Sequence, residues 1–261
     1  MKDVNILKNN GIDVDASMQI FGDMSLYDET AQDFLDAVDD RLAKLKQYKE
    51  AGDMPNYAIE AHALKSDSKY LGFTQLAQMA LDHELKGKAN DINFVYANYD
   101  ALINEINRIV KVVREYLGVP VGTQPVIKTV PVTKNDQAIL VVDDSNIIQN
   151  FVKKIFSSSY DVIVATDGKQ AIDAVTLHPE IKIACMLLDL NMPNVNGFEV
   201  LDYMSKNSLF IKVPVSIITG EDSKDNVQRA FAYPIIDVLS KPFNENDVKR
   251  VVERTIMANK M

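Results

Sequence analysis

The sequence predicts two domains of different class. An all-α antiparallel four-helix bundle occupies residues 1–117, and a doubly wound α/β domain with a five-stranded parallel sheet occupies 138–261. Two observations carry this. Apolar residues recur at helical spacing through the first 117 residues, and from Ala138 onward short β-rich runs alternate with helical patterns. Between them, residues 118–137 change character: Pro120, Pro125 and Pro131 alternate with valines without a helical stripe, which reads as a partly extended linker.

In the helical half, Leu35, Val38, Leu42 and Leu45 form one stripe. Val95, Leu102, Ile106, Ile109, Val113 and Leu117 form another, opened by Asp91 as an N-cap. Gly52 and Pro55 break the chain before a helix carrying His62, Leu71-Gly72 ends that helix, and a fourth runs from about Thr74 to Lys86. Short connections between four such helices make an antiparallel bundle.

In the second half, strands are expected at Ile139–Val142, Val162–Thr166, Ala184–Leu188, Val213–Ile218 and Ile235–Leu239, with helices between them and a last helix over Asn244–Ala258. Strands in βα alternation make a parallel sheet, whose reactive groups gather at the carboxyl ends of the strands. Asp143, Asp144, Asp189, Thr219 and Lys241 all fall at such ends.

Composition narrows the class. At 261 residues the chain fits two ordinary domains, each able to bury its own core. One cysteine, Cys185, excludes an internal disulfide framework and suits a reducing cytoplasm. No basic flank precedes an apolar core near the start, and the apolar runs fall short of the ~20 residues that span a bilayer, so neither a secretory signal nor a membrane segment is expected. The net charge of −9 is concentrated early: through Leu117 there are 13 basic residues against 20 acidic ones. An acidic chain without a basic stripe argues against nucleic acid and for protein partners.

Three carboxylates and a lysine at strand ends form a divalent-metal and phosphoryl site, because hard oxygen ligands suit Mg²⁺ and an ammonium neutralises phosphoryl oxygens. The order is specific: Asp143-Asp144 after the first strand, Asp189-Leu190-Asn191-Met192-Pro193 with Gly197 after the third, Thr219 after the fourth, and Lys241-Pro242 after the fifth. Any one of these alone would do no more than cap a helix or solvate a surface; together this half resembles a response-regulator receiver domain, of flavodoxin-like fold, over essentially its whole length. The resemblance implies that Asp189 accepts a phosphoryl group. It also implies that Asp144 and Asp189 ligate Mg²⁺ directly, Asp143 through water and Asn191 through its main-chain carbonyl, while Lys241 and Thr219 bind the phosphoryl oxygens. Two positions depart from the pattern: Val238 stands where receivers usually carry an aromatic switch residue, and Tyr233-Pro234 replaces the usual Gly-Ala before strand five.

A second phosphoryl candidate lies in the helical half. His62, Lys65, Ser66 and Lys69 fall on one polar helical stripe opposite Ala61, Leu64, Ser68 and Leu71, so His62 is expected to be exposed on a bundle face with Lys65 one turn away to offset phosphate charge. The run from His62 to Gly72 resembles the histidine phosphotransfer (HPt) domain, a four-helix bundle. Glu84 falls where that family often has an acidic residue on the next helix, and Ser66 stands where it usually has glycine. His83, with Leu76, Met79 and Ala80, is expected at the core or its boundary, and His178 before Pro179 belongs to a loop.

Together the resemblances imply a two-component phosphorelay protein with a histidine carrier, His62, and an aspartate acceptor, Asp189. Without a Gly-rich nucleotide loop or a kinase signature, phosphate is expected from a sensor histidine kinase, another receiver or HPt protein, or a small phosphodonor. A flexible linker of ~20 residues has an r.m.s. span of about 25 Å, compatible with HPt–receiver contact within one chain or a homodimer. The competing reading is a phosphorylation-switched interaction regulator whose bundle serves only for docking or dimerisation.

Overall fold

A computed structural model describes residues 2–119, 137–177, 181–192, 194–220 and 224–258. The chain divides into two compact units, Met1–Thr129 and Val130–Met261. The division falls within the span expected as linker, most of which, like His178, lies outside the described residues.

In the first unit, α1 (Asn5–Asn9) and α2 (Val14–Phe21) precede four longer helices: α3 (Met24–Ala51), α4 (Met54–Tyr70), α5 (Thr74–Lys88) and α6 (Ile92–Leu117). Each long helix packs on the next and α6 returns to α3, which closes the four-helix bundle; α1 rests on α6, and α2 on α3 and α4. Sequence periodicity missed α1 and α2 because both are shorter than the window in which a helical repeat becomes countable. Aspartates start the helices: Asp13, Asp23, Asp53 and Asp91 each accept a backbone N–H of the first turn. Gly52 ends α3 at φ 68°, a left-handed conformation that costs glycine nothing.

Helix α4 is the central element. Two buried acids on it are paired with α3: Arg41 reaches Asp67 at 3.1 Å and Glu60 at 3.5 Å. Arg41 thus interrupts the expected stripe, on which Leu35, Val38 and Leu45 are buried while Leu42 is only half-buried. Between α4 and α5 the backbones come close, since a Cβ at Gly87 would lie 3.0 Å from the Cβ of Ala58.

The second unit has β1 (Ala138–Val142), β2 (Asp161–Ala165), β3 (Ile183–Asp189), β4 (Val215–Gly220) and β5 (Val238–Lys241), all parallel in the order β2-β1-β3-β4-β5. Central strands β1 and β3 are buried along their whole length, which explains their unbroken apolar runs. On one face, Leu140, Val142, Met186, Leu188, Val215 and Ile217 pack with α8 (Gly168–Thr176) and α9 (Gly197–Lys206). The other face carries α7 (Asn146–Phe156) and α11 (Glu245–Ala258), with Ser216 and Thr255 hydrogen-bonded at 2.6 Å. Helix α10 (Lys224–Ala230) follows β4.

Strands β4 and β5 start and end two or three residues later than expected, and the other strand limits agree to within one residue. Strand β4 begins after Pro214, which has no N–H to give the ladder. Strand β5 begins at Val238 rather than Ile235 and ends on Lys241, so the lysine is the last residue of its strand. No helix among the described residues is long and apolar enough to cross a membrane.

Helix α9 meets the end of β3 through Gly197, where a Cβ would lie 2.3 Å from the Asp189 carbonyl oxygen and 2.7 Å from the Leu190 Cα. Backbone cannot yield as a flexible side chain does. Gly197→Ala is therefore expected to destabilise the second unit by about 2 kcal/mol in urea unfolding.

Candidate functional sites

Strands β1 and β3 are neighbours at the centre of the sheet, and the chain leaves them toward opposite faces, to α7 and α9. Such a switch point opens a crevice at the strand ends. Asp143 and Asp144 follow β1 there and Asp189 closes β3; one oxygen from each of the three carboxylates lies within 4.8 Å of the other two. Asp143 and Asp189 are fully buried and Asp144 half-buried.

From the end of β5, the Lys241 Nζ reaches Asp143 Oδ2 at 2.8 Å and Asp189 Oδ2 at 2.6 Å. The remaining oxygens are held by backbone: the Ser145 N–H donates to Asp143 Oδ1 at 2.9 Å, and the Asn191 N–H to Asp189 Oδ1 at 3.0 Å. Thr219 is buried on β4, one residue beyond Ile218, the register partner of Asp189. The crevice thus gathers Asp143, Asp144, Asp189, Asn191 and Lys241; Thr219 stands near the end of the adjacent strand β4 with its hydroxyl donating to the Gly220 carbonyl at 3.4 Å, and Pro193 lies outside the described residues.

Burial pushes the Asp143 carboxyl well above the usual carboxylate range; Lys241 pulls it down and Asp189 pushes it up again. Burial alone would lower the Lys241 ammonium, but Asp143, Asp189 and Asp144 together hold it raised. Three carboxylates facing one ammonium leave uncompensated negative charge among hard oxygen donors. That donor set fits Mg²⁺, which takes one or two carboxylates and keeps several waters.

The helical unit holds the reverse balance. His62 Nδ1 lies 2.8 Å from Glu84 Oε1 on α5, and Lys65 Nζ lies 2.7 Å from Glu84 Oε2. Lys88 Nζ reaches Oε1 as well, at 2.5 Å. Burial would raise the Glu84 carboxyl, but the hydrogen bond and charge of His62, with Lys65, hold it well below the usual carboxylate range. An ionised carboxylate only accepts, so the 2.8 Å contact places a proton on His62 Nδ1. Lys65, 3.4 Å from the same Nδ1, serves chiefly as the partner of Glu84. The close approach of α4 and α5 at Gly87 and Ala58, one turn away, brings the two helices within reach of this bond.

The expected exposure of His62 is corrected. Only 4% of the residue is accessible, and Lys65 and Ser66 are each 5% exposed. The polar stripe is a hydrogen-bonded layer at the α4–α5 seam, where Glu84 and Lys65 close over the imidazole. Spacing on α4 identifies the stripe but says nothing of what α5 lays across it. His83 is buried as expected, its Nδ1 2.8 Å from the Tyr57 hydroxyl and its ring edge-on to Phe94.

Some site residues escaped the sequence. Gln149 Nε2 on α7 donates to the Asp143 carbonyl at 2.5 Å, pinning the end of β1. Its signal, a polar residue on an otherwise apolar helical face, is weak. Lys88 had a clearer one, four residues after Glu84 on the same helix. Half-buried Val238 opens β5, while Tyr233, in the loop before it, donates its hydroxyl to Asp202 of α9 at 2.6 Å.

Residues 139–253 match the family described as response regulator receiver domain, and residues 29–111 match the Hpt domain. The two-component response regulator ORR3 of Oryza sativa subsp. indica is 29% identical over 131 residues, spanning 50% of this chain and 97% of that protein. The probable methanogenesis regulatory protein FilR2 of Methanothrix harundinacea (strain 6Ac) is 32% identical over 123 residues, 44% of this chain and 78% of that protein. Among solved structures, the chemotaxis response regulator CheY4 of Vibrio cholerae is 28% identical, covering 46% of this chain and 98% of its own, with a TM-score of 0.41. The crevice of carboxylates in one unit, the two family matches and the likeness in sequence to FilR2 lead to one conclusion: the chain belongs to the response-regulator receiver family and, through its Hpt domain, to the proteins of multistep His–Asp phosphorelays.

Proposed function

We propose that Asp189 and His62 are the two phosphoacceptors of this chain, carried by domains at 138–261 and 1–117 with 118–137 as the tether. The observation that carries the reading is the opposite charge balance of the two sites. Three carboxylates with one lysine at Asp189 call for a cation. Two lysines with one carboxylate at His62 already hold the charge that an incoming phosphoryl group meets.

Asp144, Asp189 and the Asn191 carbonyl would hold Mg²⁺, with Asp143 through water, and the ion would neutralise and orient phosphoryl oxygens. One Asp189 carboxylate oxygen forms the new O–P bond as the donor's bond to phosphorus breaks, giving a mixed anhydride. Lys241, already on Asp189, moves its charge onto a phosphoryl oxygen, and the Thr219 hydroxyl donates to another. At the helical site Glu84 fixes the proton on Nδ1, which leaves the Nε2 lone pair as the nucleophile. The chain acts as a carrier rather than a kinase. Its partners are a sensor histidine kinase or other receiver and HPt proteins of the cytoplasm, with neither nucleic acid nor membrane as a target.

Labelling the purified chain with acetyl phosphate and Mg²⁺ tests this. Base-labile aspartyl phosphate is expected in the wild type and absent from Asp189→Asn; label persisting in Asp189→Asn would reject the assignment. Stripping the metal with EDTA is expected to abolish labelling at Asp189 while phosphoramidate still labels His62, since only the first site has a carboxylate cluster. Glu84→Ala is expected to slow labelling of His62 by about tenfold through loss of the fixed tautomer, with Asp189 labelling unchanged.

A further inference from the structure

The Glu84 carboxylate is shared unevenly. Its Oε2 serves Lys65 at 2.7 Å, whereas Oε1 takes both the His62 Nδ1–H at 2.8 Å and the Lys88 Nζ at 2.5 Å. Two donors on one oxygen compete for its charge. The lysines also differ in setting: 7% of the Lys65 side chain is exposed against 52% for Lys88. Lys88 reaches Glu84 from one turn further along α5, from the solvent side, so it can leave the carboxylate without breaking the seam.

Other charges near the seam are spoken for. On α3, Arg41 is held by Asp67 and Glu60 of α4, with Lys44 beyond at 3.9 Å from Glu60. His83 of α5 turns to Tyr57. The imidazole is thus faced by Lys65 from its own helix and by Glu84 and Lys88 from α5.

We infer that Lys88 is a positioning residue for phosphoryl transfer at His62, setting through the shared Glu84 oxygen how firmly the imidazole keeps its Nδ1 proton; this rests on His62 being a phosphoacceptor. When phospho-His62 donates, the Nε2–P bond breaks with its electron pair going to Nε2, and an O–P bond forms to the accepting carboxylate. A proton retained on Nδ1 makes the departing group a neutral imidazole; without it, the departing group is an imidazolate, a far poorer one. Lys88 draws the Oε1 charge away from Nδ1–H and so restrains transfer. With Lys88 removed, Oε1 turns wholly to the imidazole, and the protonated, transfer-competent form extends to higher pH.

The test titrates His62 by imidazole NMR in the full-length chain, with the resonance assigned through His62→Gln, and then follows loss of phosphoryl from phosphoramidate-labelled His62 against pH. Lys88→Met is expected to move both midpoints upward and to speed phosphoryl loss at neutral pH by about threefold, the effect of one nearby, partly screened charge. Lys88→Arg should restore the wild-type profile; Lys88→Gln provides a second neutral variant should methionine perturb the helix. Unmoved midpoints in both neutral variants, with helicity intact and His62 labelled, would overturn the role of Lys88 and leave His62 as phosphoacceptor. Failure of wild-type His62 to label, in a chain whose Asp189 does label, would instead remove the reading on which the inference rests.

Discussion

The contact on which the α/β half depends is Lys241 against Asp143 and Asp189. Two fully buried carboxylates beside a third concentrate negative charge at high desolvation cost in a low-dielectric crevice unless a positive charge lies among them. The fold delivers that charge. Placing β1 and β3 side by side brings the aspartates together, and ending β5 on Lys241 carries the ammonium across β4 to meet them. One lysine does not balance three carboxylates, and this remaining negative charge is what makes the crevice a site rather than a structural ion pair.

The helical half solves the complementary problem. An imidazole that is to act as a nucleophile needs one nitrogen committed to a proton and the other left with its lone pair. Glu84 makes the commitment, and the His62 hydrogen bond, with Lys65, keeps Glu84 ionised although it is buried. The seam exists because α5 lies close on α4, and it lies close because position 87 is glycine and position 58 alanine. Packing of small residues therefore sets an electrostatic device a turn away.

Much of this was legible in the sequence, for identifiable reasons. The unbroken runs Ala138–Val142 and Ala184–Leu188 announced strands buried on both faces, and Asp143, Asp189 and Lys241 stood where such strands end. The caps at Asp91 and Gly52 marked helix limits through simple hydrogen-bond and backbone rules. What stayed hidden depended on pairs from different elements. The burial of His62 arises from α5 as well as α4, the pairing of Arg41 joins α3 to α4, and the hold of Gln149 on the Asp143 carbonyl joins a helix to a strand end. Periodicity along one element carries no information about the neighbour that covers it.

The proposal that Asp189 and His62 both carry phosphoryl groups within one relay is tested in trans. A His62→Gln chain labelled at Asp189 is mixed with unlabelled Asp189→Asn chain after the phosphodonor has been removed, and the acid-labile, base-stable phosphohistidine fraction is followed in time. Label is expected to leave Asp189 of the first chain and appear on His62 of the second. Label that decays only to inorganic phosphate, with none reaching a His62 site shown to accept phosphoramidate, would contradict it and leave the aspartate as a switch without a relay.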